Sequence, residues 1–375
     1  RQDTNRYFLD NVFANRLFQM TYVSVPLISQ GLVLNKRGIN FREMRTKNIP
    51  QFHNNIDTYT QVLPLAMAYG LKACGVESKD NWQEMIVASS FSTAIGLATS
   101  QIIKHRAAKI RPDNRDNKSF PSGHTTMAFI SATILSKEYG EKSYWYSVAG
   151  YTVATLTGLS RVANNRHWIS DVLAGAGIGI LSTETGYFLK DLIFKDKYSN
   201  KFFEYKDNGM EKPSFIDMYL TYNHSENKYN LKDNTTMKFK DGAAIGIEGA
   251  YFFNKYFGVG SLLDVANYEV VNKNVVQDST LNVYSANMGA YLSYPIFKRI
   301  LLGANLSCGL NHIRDNNVIN SQTIKEQNHF NLLTAFSLSF WVTEHTFLRF
   351  YSNYTISRLN IEDKDNNFKT INVGG

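Results

Sequence analysis

In the stretch SRVANNRHWISD, Ser160 to Asp171, a histidine and a carboxylate stand four residues apart, with an arginine upstream. On a helix, His167 and Asp171 share a face. That spacing suits chemistry in which a carboxylate holds an imidazole. Two other segments precede it. In KHRAAKIRP, Lys104 and Arg111 are seven apart, two helical turns, so both can project from one face. Pro112 then ends that helix, because it disfavours helical geometry in the residue before it. In PSGH, Ser122 and Gly123 come just before the helical pattern TTMAFISATIL, placing a small-residue turn at a helix N-terminus, where free backbone N–H groups bind anions. With Arg161 and His124 added, the segments supply three cations, an N–H nest, two histidines and a carboxylate.

Each piece alone has a plainer explanation. Lysine and arginine seven apart are often a solvated face, PSGH can be an ordinary turn, and a lone histidine is more often packed or exposed than reactive. The ordered combination is far more specific: Lys-x6-Arg-Pro, then Pro-Ser-Gly-His, then Ser-Arg-x5-His-x3-Asp. Arg166, beside His167, reads as structural. Arg115 and Lys118, before PSGH, read as a solvated loop.

These segments need elements to position them, and the chain has two halves of different periodicity. Up to about residue 195 the apolar spacing is helical, and DVLAGAGIGILSTETGYFL (Asp171 to Leu189) carries small residues that let helices approach closely. No stretch reaches the roughly 18 to 20 uninterrupted apolar residues of a membrane helix. Met85 to Ile103 and Tyr144 to Leu159 come nearest, and both read as buried helices, with helices dipping into a bilayer as the alternative. The charged segment 196–213, ending in Pro213, reads as a connector.

After Pro213 the period becomes two. In FLRFYSNYTIS, Leu348, Phe350, Tyr354 and Ile356 point one way and Arg349, Tyr351, Asn353 and Thr355 the other. Phe330, Leu332, Phe336, Leu338 and Phe340 alternate in the same way with Asn331, Ser337 and Ser339. Apolar-out, polar-or-small-in over about ten residues, with aromatics near segment ends, is the pattern of an outer-membrane barrel. Eight strands start near Phe215, Ala243, Phe257, Leu281, Ile300, Phe330, Phe347 and Phe368, the last cut short at INVGG so that closure is inferred. The connections alternate between tiny (NKY, FKR, TEH) and longer polar ones, and the short turns of bacterial barrels are periplasmic. Parity then puts Pro213, and the helical half before it, on the periplasmic side. Glu248 and Arg349 read as an inward charge pair filling a narrow lumen.

Composition sets bounds. The 375 residues suffice for two domains, and the net charge of +8 is a mild basic excess. The one dense basic run, Lys104 to Lys118, lacks the aromatic interleaving of a single-strand groove, which argues against nucleic acid as a partner. Two cysteines, Cys74 and Cys308, are too few for metal ligation by cysteine and fall in dissimilar regions, arguing against a disulfide. The start RQDTNRYFLD shows no signal region and reads as trimmed. Oligomeric state is not legible.

The three motifs resemble the type 2 phosphatidic acid phosphatase (PAP2) family, which also includes bacterial acid phosphatases and vanadium haloperoxidases. The resemblance covers roughly residues 50 to 190, and all its motif positions match. A PAP2-like domain fused to a C-terminal barrel is similar to proteins of Bacteroidetes-type bacteria. The implied fold is multidomain α plus β: an all-α PAP2-like bundle over 1–195, a connector over 196–213 and an eight-stranded antiparallel up-and-down outer-membrane β-barrel over 214–375.

The resemblance implies His167 as nucleophile, forming a phosphohistidine, with Asp171 fixing its tautomer. His124 protonates the leaving alcohol and then activates water. Lys104, Arg111 and Arg161 suit the phosphoryl oxygens, with Ser122 and the Gly123 N–H adding hydrogen bonds. Neither metal nor cofactor is required, since three basic residues meet the charge that magnesium would offset. The expected function is a periplasm-facing outer-membrane phosphatase acting on a phosphorylated lipid: a phosphatidic-acid-like lipid, an isoprenoid pyrophosphate or a lipid A phosphate. A vanadium-dependent haloperoxidase and a non-catalytic barrel for adhesion or transport are the alternatives.

Overall fold

The computed structural model describes residues 15–37, 41–42, 45–46, 49–195 and 211–375, except 226, 232–235, 273–274, 298, 315, 320–321, 342–346 and 363. Most of the expected connector, and the turn TEH, therefore lie outside the described residues. The chain divides into two compact units, 1–201 and 202–375.

The first unit is helical. In chain order its helices are α1 (Arg16–Thr21), α2 (Ser24–Arg37), α3 (Asp57–Thr60), α4 (Leu63–Ala73), α5 (Trp82–Ala107), α6 (Gly123–Tyr139), α7 (Tyr144–Ala163) and α8 (Ile169–Phe194). Local sequence sets their starts. Asn81 and Glu84 form a reciprocal capping box on α5, each side chain accepting from the other's backbone N–H at 3.0 Å. Ser122 and Ser143 cap α6 and α7.

The core helix is α8, packed against α2, α5 and α6. Its AGAGIG run makes that approach possible. A Cβ at Gly175 would lie 2.7 Å from the Ser122 carbonyl oxygen, and one at Gly179 would lie 2.5 Å from that of Thr126. Ile130, Ile134, Leu135 and Tyr139 of α6 fill a core with Met85 and Ala88 of α5.

The expectation that α5 and α7 are buried is not met: Tyr144, Trp145, Val148 and Leu156 of α7 are exposed, and α5 is similar. Only 28% of the most apolar window of α5 is buried, and Trp82, Ile86, Leu97 and Ile102 are exposed. By length and composition α5 and α8 could each cross a membrane; α8, 67% buried, is a core helix. Small polar residues on α5, Ser89, Ser92 and Ser100, face its buried side, so the apolar residues are left outside.

The second unit is a closed antiparallel β-barrel. Its strands are β1 (Phe215–His224), β2 (Lys228–Asn230), β3 (Thr236–Phe252), β4 (Phe257–Asn272), β5 (Val275–Phe297), β6 (Ile300–Ile313), β7 (Asn316–Ile319), β8 (Gln322–Ile324), β9 (Gln327–Trp341), β10 (Phe347–Ile361) and β11 (Lys364–Gly374). β7 and β8 form a separate hairpin, and β2 is a short addition to β3. The eight long strands close the ring because β1 pairs with both neighbours: Phe215↔Ala250 begins its register with β3, and Thr221↔Gly374 its register with β11.

Alternation follows the expected parity. Phe330, Phe336, Phe350 and Ile356 are exposed on the outer face. Inward, buried asparagines pair across strands, Asn267 with Asn282 at 2.7 Å and Asn372 with Asn353 at 2.6 Å. Arg349 and Glu248 meet in the lumen as expected, at 2.7 Å, and Asp217 joins them at 2.9 Å.

Strand lengths need correction. β3, β5, β9 and β11 begin before their expected starts, and β4 and β5 run on until only 273–274 separate them. Residues 275–280, most of NVVQDST, are thus strand and not loop. β10 likewise runs to Ile361 and β11 starts at Lys364. At these strand ends the buried, inward residues are apolar, as Met237 and Phe239 of β3 are, so the apolar-out, polar-in signal disappears.

Candidate active site

The three motifs converge on one cleft of the helical unit, by a route that differs from the expected helical faces. Lys104 sits in the last turn of α5, but the helix stops at Ala107, with Ala108 left-handed at φ 45°. Arg111 therefore lies in the following loop, not on a shared helical face. That loop is closed on itself by Ser119 N–H to the Lys109 carbonyl and Arg111 N–H to the Asp116 carbonyl, both 3.0 Å. The loop, and not Pro112, takes the chain out of the helix. Likewise α8 begins at Ile169, so His167 precedes it while Asp171 lies in its first turn.

His167 is almost fully buried, and its two ring nitrogens have different neighbours. Arg111 Nη1 is 3.3 Å from Nε2. A guanidinium only donates, so Nε2 is the acceptor and the ring proton belongs on Nδ1. Nδ1 lies 3.4 Å from Asp171 Oδ2, without an aligned hydrogen bond. Such contacts tighten when substrate binds. Burial above all, with Arg111 and Arg161 adding to it against Asp171, pulls the ring down to about 4. His167 is thus neutral, with its lone pair on the Arg111 side.

Asp171 is fully buried and richly satisfied. Its Oδ2 accepts from the Trp168 backbone N–H at 2.9 Å and from the Ser119 hydroxyl; its Oδ1 accepts from Lys109 Nζ at 2.9 Å. Nothing in the motif pattern marks Lys109 or Ser119.

The PSGH turn caps α6. Ser122 Oγ accepts from the Thr125 N–H at 3.4 Å and the Thr125 hydroxyl at 2.9 Å, leaving its own O–H as a donor. Its backbone N–H is tied to the Asp171 carbonyl at 3.0 Å, which joins the two motifs directly. Gly123 brings Lys104 close: a Cβ there would be 3.1 Å from Lys104 Nζ. Lys104 has no ion-pair partner among the described residues.

Arg161, on α7, is held from behind. Its Nη1 donates to Asp57 Oδ2 at 2.7 Å, and Asn164 donates to the same oxygen at 3.1 Å. Its Nε–H is buried without a partner among the described residues. His124, in the first turn of α6, is pulled down to about 4, mainly by burial and then by Arg161, with Asp57 opposing. Arg166 pairs with Asp113 at 3.6 Å, as a structural residue would, and Arg115 is largely exposed.

The cleft thus gathers three cations, a helix N-terminus and a neutral imidazole with a free lone pair. It can hold a polyanion and attack it.

Residues 86–188, within the helical unit, match the family model of the PAP2 superfamily. The second unit is an outer-membrane-type β-barrel. The chain is 37% identical over 237 residues to the lipid A 1-phosphatase of Porphyromonas gingivalis, a match covering 62% of this chain and 52% of that protein. It is 30% identical over 116 residues to phosphatidylglycerophosphatase B of Bacillus subtilis, covering 28% of this chain and 56% of that one. The chain thus spans about half the length of these two curated relatives. Among solved structures, the outer-membrane protein OprG of Pseudomonas aeruginosa covers 44% of this chain and 93% of its own at 13% identity, with a TM-score of 0.33.

Proposed function

We propose that the protein is a metal-independent phosphatase of the outer membrane, acting on a lipid phosphate through a phosphohistidine at His167, with the helical unit on the periplasmic side. The observation that carries this reading is the 3.3 Å approach of Arg111 Nη1 to His167 Nε2. A phosphate entering the cleft takes over that donor and meets the lone pair in line. His167 Nε2 then bonds to phosphorus as the bond to the leaving oxygen breaks, and His124 gives that oxygen its proton. Water next attacks the phosphorus, His124 takes a proton from it, and the P–N bond breaks to release phosphate.

The transition state is stabilised by fixed charge. Arg111 and Arg161 offer forked donors, Lys104 a point charge, and Ser122 and the Gly123 N–H further hydrogen bonds. Among the described residues no three His, Cys, Asp or Glu side chains converge to hold a metal. The names of the two curated relatives, a lipid A 1-phosphatase and a phosphatidylglycerophosphatase, support a lipid substrate. Strand parity supports the periplasmic side, because the chain enters β1 at the same barrel end as the 253–256 turn.

A panel of lipid A, phosphatidylglycerophosphate, isoprenoid pyrophosphate and soluble phosphoesters, scored for released phosphate in EDTA, tests this. Release from a lipid by the wild type and none by His167→Ala is the expected result. Activity lost on chelation and restored by magnesium would overturn the mechanism.

A further inference from the structure

Lys109 lies inside the x6 interval of the first motif, and its place is specific. Its Nζ donates to Asp171 Oδ1 at 2.9 Å and to Ser170 Oγ at 2.8 Å. It sits over the rings of Trp168 and Phe120, 5.6 and 5.7 Å from their centroids. Trp168 in turn donates from Nε1 to the Ile110 carbonyl at 2.9 Å, pinning the next residue of the loop.

Other charged groups surround the His167–Asp171 pair. Arg111 and Asp116 come from the same loop, Lys104 from α5, His124 from α6 and Arg161 from α7. Among the described residues, Lys109 is the one cation bonded to Asp171. No hydrogen bond or ion pair among the described residues joins it to His167 or to the cleft cations. We infer that Lys109 is a positioning residue that keeps the Asp171 carboxylate ionised, aimed and partly neutralised behind His167. The inference rests on the phosphatase reading above.

The physical consequence has a definite sign. A carboxylate buried without its cation is easier to protonate, so loss of Lys109 moves the Asp171 titration to higher pH. An Asp171 charge no longer shared with Lys109 also acts more strongly on His167 and moves that ring's titration to higher pH. Attack requires Asp171 ionised and His167 neutral. Both changes therefore push the acid limb of the activity profile the same way, as a coupled pair. A merely structural lysine would lower activity equally at every pH.

The test is kcat/KM on a soluble aryl phosphate from about pH 4 to about pH 8 for wild type, Lys109→Met, Lys109→Gln and Lys109→Arg. The acid limb should rise by about one to three pH units in Met and Gln, and return in Arg. Gln stands in should Met not fold, as judged by circular dichroism. A second arm needs no turnover: ¹⁵N spectra of the histidine rings should show His167 titrating at higher pH in the Met or Gln variant. A uniform loss of activity with an unmoved limb, or an unmoved His167 titration, overturns the inference. If the wild type releases no phosphate, or His167→Ala remains fully active, the phosphatase reading falls, and the ring titration still decides the role of Lys109.

Discussion

Asp57 and Arg161 stand 104 residues apart in the chain and form a buried ion pair, Arg161 Nη1 donating to Asp57 Oδ2 at 2.7 Å. Burial pushes the Asp57 carboxyl up, and the guanidinium outweighs this and holds it below the usual carboxylate range. The pair fixes the guanidinium of Arg161, the residue proposed to hold phosphate.

Asp57→Ala should therefore harm both stability and turnover. It strands a buried guanidinium, which costs about 3 to 5 kcal/mol. It also lets Arg161 drift, and misplacement by about 1 Å can cost on the order of 100-fold in rate. Asp57→Asn, which keeps an acceptor, should recover more of the fold than of the rate. Urea unfolding and kcat/KM on both variants check this; wild-type kinetics in Asp57→Asn would mean that Arg161 needs no counter-charge.

His124 is too weak a base in the empty cleft to be charged at neutral pH, since its ring is held at about 4. A bound phosphate dianion reverses the local field among the three cations, and an opposite charge favours the protonated ring. Its titration should move up when vanadate or phosphate binds, arming it as the acid. Histidine ring spectra with and without vanadate measure the move. In the same frame, His124→Ala should slow alkyl phosphates far more than nitrophenyl phosphate, whose leaving group needs little protonation. Equal losses on both would remove His124 from that role.

Stability should depend on pH through the same two rings. Each titrates near 6.5 when unfolded and at about 4 in the folded unit. Between those values the unfolded chain binds more protons, so stability rises with pH there and is lost as pH falls from about 6.5 toward about 4. Denaturant midpoints at pH 7 and pH 4.5 should differ more in wild type than in a His124→Gln, His167→Gln double variant.

Gly175 is where the core helix meets the PSGH turn. An alanine Cβ would lie 2.7 Å from the Ser122 carbonyl oxygen and 3.3 Å from Thr125 Cβ. Gly175→Ala should cost about 1 to 3 kcal/mol through overpacking. It should also lower kcat by displacing the capped turn that holds Ser122 and Gly123. Thermal unfolding and steady-state kinetics read the two effects separately; an unchanged melting temperature would show that the helices can move apart freely.

Orientation of the barrel can be read by an impermeant maleimide on intact cells. In a background without Cys74 and Cys308, a cysteine at Lys364 should label, while one at Lys255 should stay protected until the outer membrane is opened. The opposite pattern places the helical unit at the cell surface. Leu263, exposed on the outer face of β4, should tolerate Arg poorly, at about 2 to 4 kcal/mol near the bilayer midplane.

The sequence is most informative where one short segment holds both the chemistry and its address. His167, His124 and the three cations could be picked out because their spacing is characteristic as a set. Their supports could not. Asp57 lies in a segment with no motif, and Lys109 and Ser119 bear on Asp171 only because the loop 109–119 folds back on itself. The helical faces proposed for Lys104 with Arg111, and for His167 with Asp171, failed for a related reason: one residue of each pair lies outside the helix, Arg111 four residues past the end of α5 and His167 two before the start of α8. In the barrel, alternation located the strands where lipid lies on one side and lumen on the other. It was silent where β3, β4 and β5 continue past the apolar band, and there the expected loops were strand.

Those strand extensions enclose inward aromatic rings. Tyr229, Phe239, Phe368 and Tyr268 form an edge-to-face chain with centroids 5.6, 5.9 and 5.3 Å apart, within a cluster that includes Met237, Leu281 and Leu359. At the opposite end, Arg349 bridges Glu248 and Asp217 across the bore. The cylinder is stoppered twice, by grease at one end and by charge at the other. It should show no ion conductance in a planar bilayer and let no small anion through its bore.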